Sequence, residues 1–134
     1  MKRLLLFIAL LCAATLITSS APSITSAANG AKKERAVMRF DQPVTLMGVT
    51  LKGDYLFVHD DEAMARGDVC TYVYKGVAEV REKLILAFHC KPAERGKVVH
   101  FTVRSVLTSP GQYELTEFQF GGTTEAHLVP VRVD

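Results

Sequence analysis

The chain has little cysteine, and what it has is spread out. Of three cysteines in 134 residues, Cys12 lies in the N-terminal apolar run, which leaves Cys70 and Cys90. Their spacing excludes the C-x-x-C pattern of thiol oxidoreductases, and no C-x-x-C-H is present for haem attachment. No serine sits in G-x-S-x-G, and Ser105 falls in the middle of an expected strand. A phosphate loop and a dinucleotide fingerprint are also missing. The sequence therefore names no catalytic residue and no cofactor, and a non-enzymatic role is the expectation. Internal repeats and long amphipathic helices are absent too.

The one long apolar run is at the start. Met1-Lys2-Arg3 is basic, Leu4 to Ile17 is almost wholly apolar, and Thr18 to Ala28 is small and polar. That is the three-part pattern of a secretory signal peptide. Its core is too short to cross a bilayer comfortably, so no stable transmembrane anchor is expected after cleavage. Residues 1–28 are read as the signal, 29–35 as a disordered leader and 36–134 as a single domain, exported to a periplasmic or extracellular space.

An excess of charge is also lacking once the signal is removed. Lys2 and Arg3 account for two of the 16 Lys plus Arg, which leaves 14 basic residues against 14 acidic ones. No charge excess points to nucleic acid or to an anionic membrane surface. A domain of this size buries enough surface to sustain its own core.

What the sequence does contain is short β-rich runs between turn signals. Ala36–Phe40 opens the first, and Pro43 places a bend or an edge soon after it. Lys52-Gly53-Asp54 reads as a tight turn and Tyr55–His59 as a strand. Asp60–Gly67 has helical character, with Asp60 or Asp61 as the cap and Gly67 past the end. Val69–Tyr74 and Leu84–Cys90 form a hairpin. Lys91–Lys97 reads as a charged loop, Val98–Leu107 and Tyr113–Phe120 as strands with a bulge near Thr116, and Ala126–Val133 as a last edge. The expected fold is all-β, an antiparallel β-sandwich or small barrel of six to eight short strands. If the hairpin turn centres near Val80, Cys70 falls opposite Cys90. In an oxidising compartment the two would form a disulfide closing about 20 residues, worth ~3 kcal/mol.

Phe40-Asp41-Gln42-Pro43-Val44, followed by Leu51 and Tyr55-x-Phe57, resembles the opening of small exported bacterial β-domains of uncharacterised function. Met64–Gly67 leading to Cys70, and Phe88-His89-Cys90-Lys91-Pro92, share the resemblance. This chain has Asp54 where such sequences place a glycine directly before the tyrosine. The resemblance implies export and a β-rich fold, and no activity.

Three chemistries remain to be weighed. His59-Asp60-Asp61-Glu62 packs four metal-ligand types into four positions, and His89 precedes Cys90. Imidazole with carboxylate suits zinc, copper or manganese, so these five residues are the candidate metal ligands. His100 and His127 lie elsewhere. Asp60, Asp61, Glu114 and Glu117 offer carboxylate pairs of no readable separation. Tyr55, Tyr72, Tyr74 and Tyr113 suit cross-strand pairs or an aromatic binding face. The expected function is binding of a protein or envelope partner. The alternatives are a metal-binding or metal-dependent protein using residues 59–62, and a lipocalin-like small-ligand carrier.

The signal boundary yields a test. Small-residue triplets end at Ala27 and Ala28, whereas cleavage after Ala21 would leave Pro22 at the new terminus. Intact mass of the exported protein should place its first residue at Ala28 or Asn29.

Overall fold

The computed structural model describes residues 32–131; the expected signal segment lies outside them. Eight strands form one sheet curled into a half-barrel. They are β1 (Lys33–Leu46), β2 (Val49–Asp60), β3 (Thr71–Lys75), β4 (Leu84–Phe88), β5 (Lys91–Glu94), β6 (Thr102–Ser109), β7 (Gln112–Gln119) and β8 (Glu125–Leu128). The strand order is β4-β3-β2-β1-β7-β8-β5, with β6 paired to β7. One helical turn, α1 (Asp61–Ala65), follows β2. The all-β class agrees with the sequence; the architecture is a single curled sheet.

β1 and β2 form a long hairpin, registered from Lys33↔Asp60 to Leu46↔Val49. Its turn is Met47-Gly48, both at positive φ, a pair whose twist suits a two-residue hairpin. Lys52-Gly53-Asp54 is therefore inside β2 and not a turn. Gly53 pairs with Phe40, and the register shifts between Phe40 and Val44, so Asp41-Gln42-Pro43 is taken up as a bulge. The strand also begins earlier than expected. Lys33–Arg35, read as leader, belongs to β1 because the period-2 alternation continues through these charges. Lys33 and Arg35 point outward and both pair with Glu79, while Glu34 lies on the other, less exposed parity. Glu79 reaches β1 from the β3–β4 connection; Leu56, Val58 and Tyr74 form a second, smaller apolar cluster with Tyr72 packed against it.

The concave face carries the main core. Phe57, Phe118, Leu46, Leu51 and Leu115 are fully buried there, and Phe101 and Phe120 pack at 5.3 Å and 6.0 Å from Phe57 and Phe118 respectively. At the far end of β1, Val44–Thr45 pair in parallel with Tyr113–Glu114, the one strand pairing between the two halves of the sheet among the described residues. A bulge falls at Thr116, as the apolar phase slip indicated, since Arg104 faces Glu117 while Ser105 faces Leu115. Lys91–Glu94, read as a loop, is strand β5 against β8; Pro92 is accommodated because β5 is an edge. Gly121 is required by close approach, because a Cβ there would lie 2.6 Å from the Val99 carbonyl oxygen. This contact holds residues 98–101 out of β6.

A buried carboxylate ties β5, β6 and β7 together. Glu117 is 5% exposed. Arg95 donates to both of its oxygens, Arg104 donates to Oε1, and Arg104 also reaches Gln119. The arginines are partly exposed, so the burial is asymmetric. Removing Glu117 leaves cations that water can solvate, whereas removing both arginines strands a buried anion. Urea unfolding should accordingly show Arg95→Ala/Arg104→Ala losing about 3–5 kcal/mol, and Glu117→Gln losing clearly less.

Candidate metal centre

The inner faces of three strands converge at one end of the half-barrel. His59, near the end of β2, stands opposite Thr71 of β3, which stands opposite Phe88 of β4. Cys90 follows Phe88 by two residues. From the other half of the sheet, His127 of β8 pairs with Phe118 of β7. His59, Cys90 and His127 are all buried, and their ligand atoms lie within 4.8 Å of one another. The two imidazoles have centroids 4.0 Å apart, His127 stacks on Phe118 at 5.0 Å, and Phe120 closes the group edge-on at 5.8 Å.

Sulfur lines the same site. Cys90 Sγ lies 3.6 Å from His127 Nδ1 and 3.8 Å from Met64 Sδ. Met64 is delivered by α1, whose start is fixed by Asp60: its Oδ1 accepts the Ala63 N–H at 3.0 Å. Gly67, at positive φ, ends the turn.

The expected Cys70–Cys90 disulfide is not formed. Both cysteines are free and buried, with the sulfurs 3.3 Å apart, well beyond the ~2.05 Å of a bond. The hairpin register accounts for this. Thr71 pairs with Phe88, so the ladder sets Cys70 opposite His89, one residue short of Cys90. The Cys70 sulfur instead accepts the Cys90 N–H at 3.3 Å, and its thiol points at the Phe88 carbonyl at 3.9 Å.

The other candidate ligands separate. Asp61 Oδ1 lies 3.0 Å from His59 Nδ1. Glu34 joins these two in a second ligand group at the rim. Asp60 is occupied as the helix cap. Glu62 is exposed and pairs with Arg66. His89 Nδ1 contacts the Asp68 carbonyl oxygen at 2.7 Å and is not part of either group. Of the five expected ligands, the structure therefore brings together His59 and Asp61; Cys90 was expected in a disulfide, and His127 and Met64 were not assigned. The signal for Met64 was its place on the helical turn beside the cluster; His127 carried no local signal.

The electrostatics follow from burial. Desolvation pushes the Cys90 thiol up to about 12, opposed by Thr71 and reinforced by Cys70. Burial, then the neighbouring His59, pushes His127 down to about 3. Burial also lowers His59, against the pull of Asp61, Glu34 and Asp60. At neutral pH the inner group is therefore a thiol and two neutral imidazoles. His59 is wholly buried, yet neither ring nitrogen has a hydrogen-bond partner; the Asp61 contact is close but misaligned. Such an unsatisfied polar group costs about 1–3 kcal/mol. The chain matches no protein-family model, no curated protein and no solved structure.

The depressed histidine sets a pH dependence for the metal-free protein. The unfolded chain takes up a proton below pH 6.5 that the folded His127 refuses until about pH 3. Stability is therefore full above 6.5 and is lost as pH falls through that window, by up to about 1.4 kcal/mol per pH unit. Urea unfolding at pH 7 and pH 5 should show this loss, and His127→Phe should flatten it.

Proposed function

We propose that this chain is an exported β-domain that binds a transition-metal ion through Cys90, His127 and His59. The observation that carries this is the fully buried His59 imidazole, whose Nδ1 faces Asp61 at 3.0 Å and whose Nε2 has no polar partner, in a group with a buried thiol and a second imidazole. Buried polar atoms are ordinarily satisfied, and an orphan in a native structure calls for an explanation. A bound cation supplies one. The spacing supports the reading: a tetrahedral ion with metal–sulfur and metal–nitrogen bonds of about 2.3 and 2.05 Å has a sulfur–nitrogen edge of about 3.6 Å, which is the Cys90–His127 distance. Ligation replaces the Cys90 proton, so binding releases a proton. Asp61 beside His59 Nδ1 is placed to fix the ring, as carboxylates do for metal-bound histidines. The aromatic filling of the concave side favours this reading over a small-ligand carrier. Export rests on the Met1–Ala28 pattern.

The Cys70–Cys90 contact supports a second state of the same sulfurs. Exchange with a disulfide-bearing partner would join Sγ to Sγ, pass two electrons and two protons to the partner as two thiols, and withdraw Cys90 from the metal.

Cobalt(II) titration of the reduced mature protein tests the main reading. One equivalent should bind with a thiolate charge-transfer band, and Cys90→Ser should remove that band. Free metal at 100 times its dissociation constant should add about 2.7 kcal/mol of stability. Absence of binding by cobalt(II), zinc(II) and copper(I) alike would overturn it.

A further inference from the structure

Resting on that reading, we infer that the ion is copper, bound as Cu(I), with the Met64 thioether as its fourth ligand. Two features of the site point this way, and the first is the donor set. Met64 Sδ lies 3.8 Å from Cys90 Sγ. Two sulfurs bound to one tetrahedral ion at about 2.3 Å each stand about 3.8 Å apart. The thioether is thus already where a ligand belongs. Thiolate and thioether donors together select soft Cu(I), whereas zinc draws on thiolate, imidazole and carboxylate.

The second feature is charge. The converging group of His59, Cys90 and His127 holds one ionisable sulfur and two imidazoles, with the Met64 thioether beside Cys90 and Phe118 and Phe120 against His127. Bound to Cu(I), a single thiolate makes a centre of zero net charge. A divalent ion would leave one uncompensated positive charge among the aromatic rings, and burying an unpaired charge is strongly unfavourable. The carboxylates that could balance it are not in the group with Cys90 and His127: Asp61, about a third exposed, faces His59 Nδ1, and Glu34 is already paired with Lys32. Cys70 Sγ touches Cys90 Sγ at 3.3 Å, but it is taken up by the Phe88 carbonyl and the Cys90 N–H and does not come within ligand spacing of the two histidines together.

The test compares Cu(I) and cobalt(II) on the reduced mature protein under anaerobic conditions, by competition with a Cu(I) chelator and by cobalt titration. Met64→Leu keeps the side-chain volume. It should weaken Cu(I) roughly tenfold or more, since even supporting groups outside the ligand set are worth that much, while leaving cobalt(II) affinity unchanged. Copper-edge X-ray absorption of the unsubstituted protein supplies a reading independent of how the variant folds. It should find two sulfurs and two nitrogens around copper, and one sulfur fewer in Met64→Leu. A single sulfur in the unsubstituted protein, unchanged Cu(I) affinity in the variant, or equal loss of both ions would overturn the copper assignment. Cobalt(II) bound through Cys90 would still leave the metal site standing. Failure of every ion to bind would overturn both.

Discussion

The half-barrel depends on a junction only two residues long. Val44–Thr45 of β1 pair with Tyr113–Glu114 of β7, and no other strand pairing joins β4-β3-β2-β1 to β7-β8-β5 among the described residues. So short a parallel ladder contributes little by itself. Burial of Leu46, Leu51 and Leu115 supports it at that end, and the contact of Phe57 with Phe118 at 5.6 Å continues the seam along the concave face. The candidate metal centre closes the opposite end of the same seam. His59 and Cys90 come from one half, and His127 from the other. An ion held there would bridge the two halves at the end away from the β1–β7 ladder.

That position explains why a costly group is tolerated. An unsatisfied imidazole, a thiol far from ionising and a second imidazole that resists protonation are poor material for a core end. Apolar residues of the same volume would give a more stable metal-free fold. The arrangement makes energetic sense when a cation satisfies the His59 nitrogen and draws the proton from Cys90. Binding free energy then enters folding free energy directly, because the unfolded chain has no assembled site.

Local pattern carried the elements, and non-local pairing hid the site. The Asp60 cap, the Gly67 stop, the hairpin around residue 80 and the bulge at Thr116 were legible because each depends on neighbours within a few positions. His59 and Asp61 were legible as metal-ligand types. His127 was not, since its meaning comes from the β7–β8 register that brings it to Phe118 and from the curl of the sheet toward β2. The cysteines show the same limit. Their spacing suggested facing partners, but the β3–β4 ladder sets Cys70 opposite His89, so the two sulfurs meet at 3.3 Å without a bond and Cys90 also reaches His127, a contact that no local pattern announces. The Lys52–Asp54 turn failed for a related reason: Gly53 serves a bulge, and the hairpin reverses at Met47-Gly48.

His59 connects two chemically opposite surroundings. On its inner side are sulfur and aromatic rings; on its outer side are Glu34 and Asp61, with Glu125 close enough that these two, after burial itself, raise its proton affinity. Lys32 pairs with Glu34 at the same rim. Carboxylates are hard donors that suit hard cations, whereas a thiolate with imidazoles suits a soft ion. An ion arriving at the rim would meet oxygen donors first and the imidazole next. The Asp61 contact would orient that imidazole throughout, so the sulfur site inside would be reached without exposing the core. The order of donors from rim to core therefore runs from hard to soft, with His59 shared between the two groups.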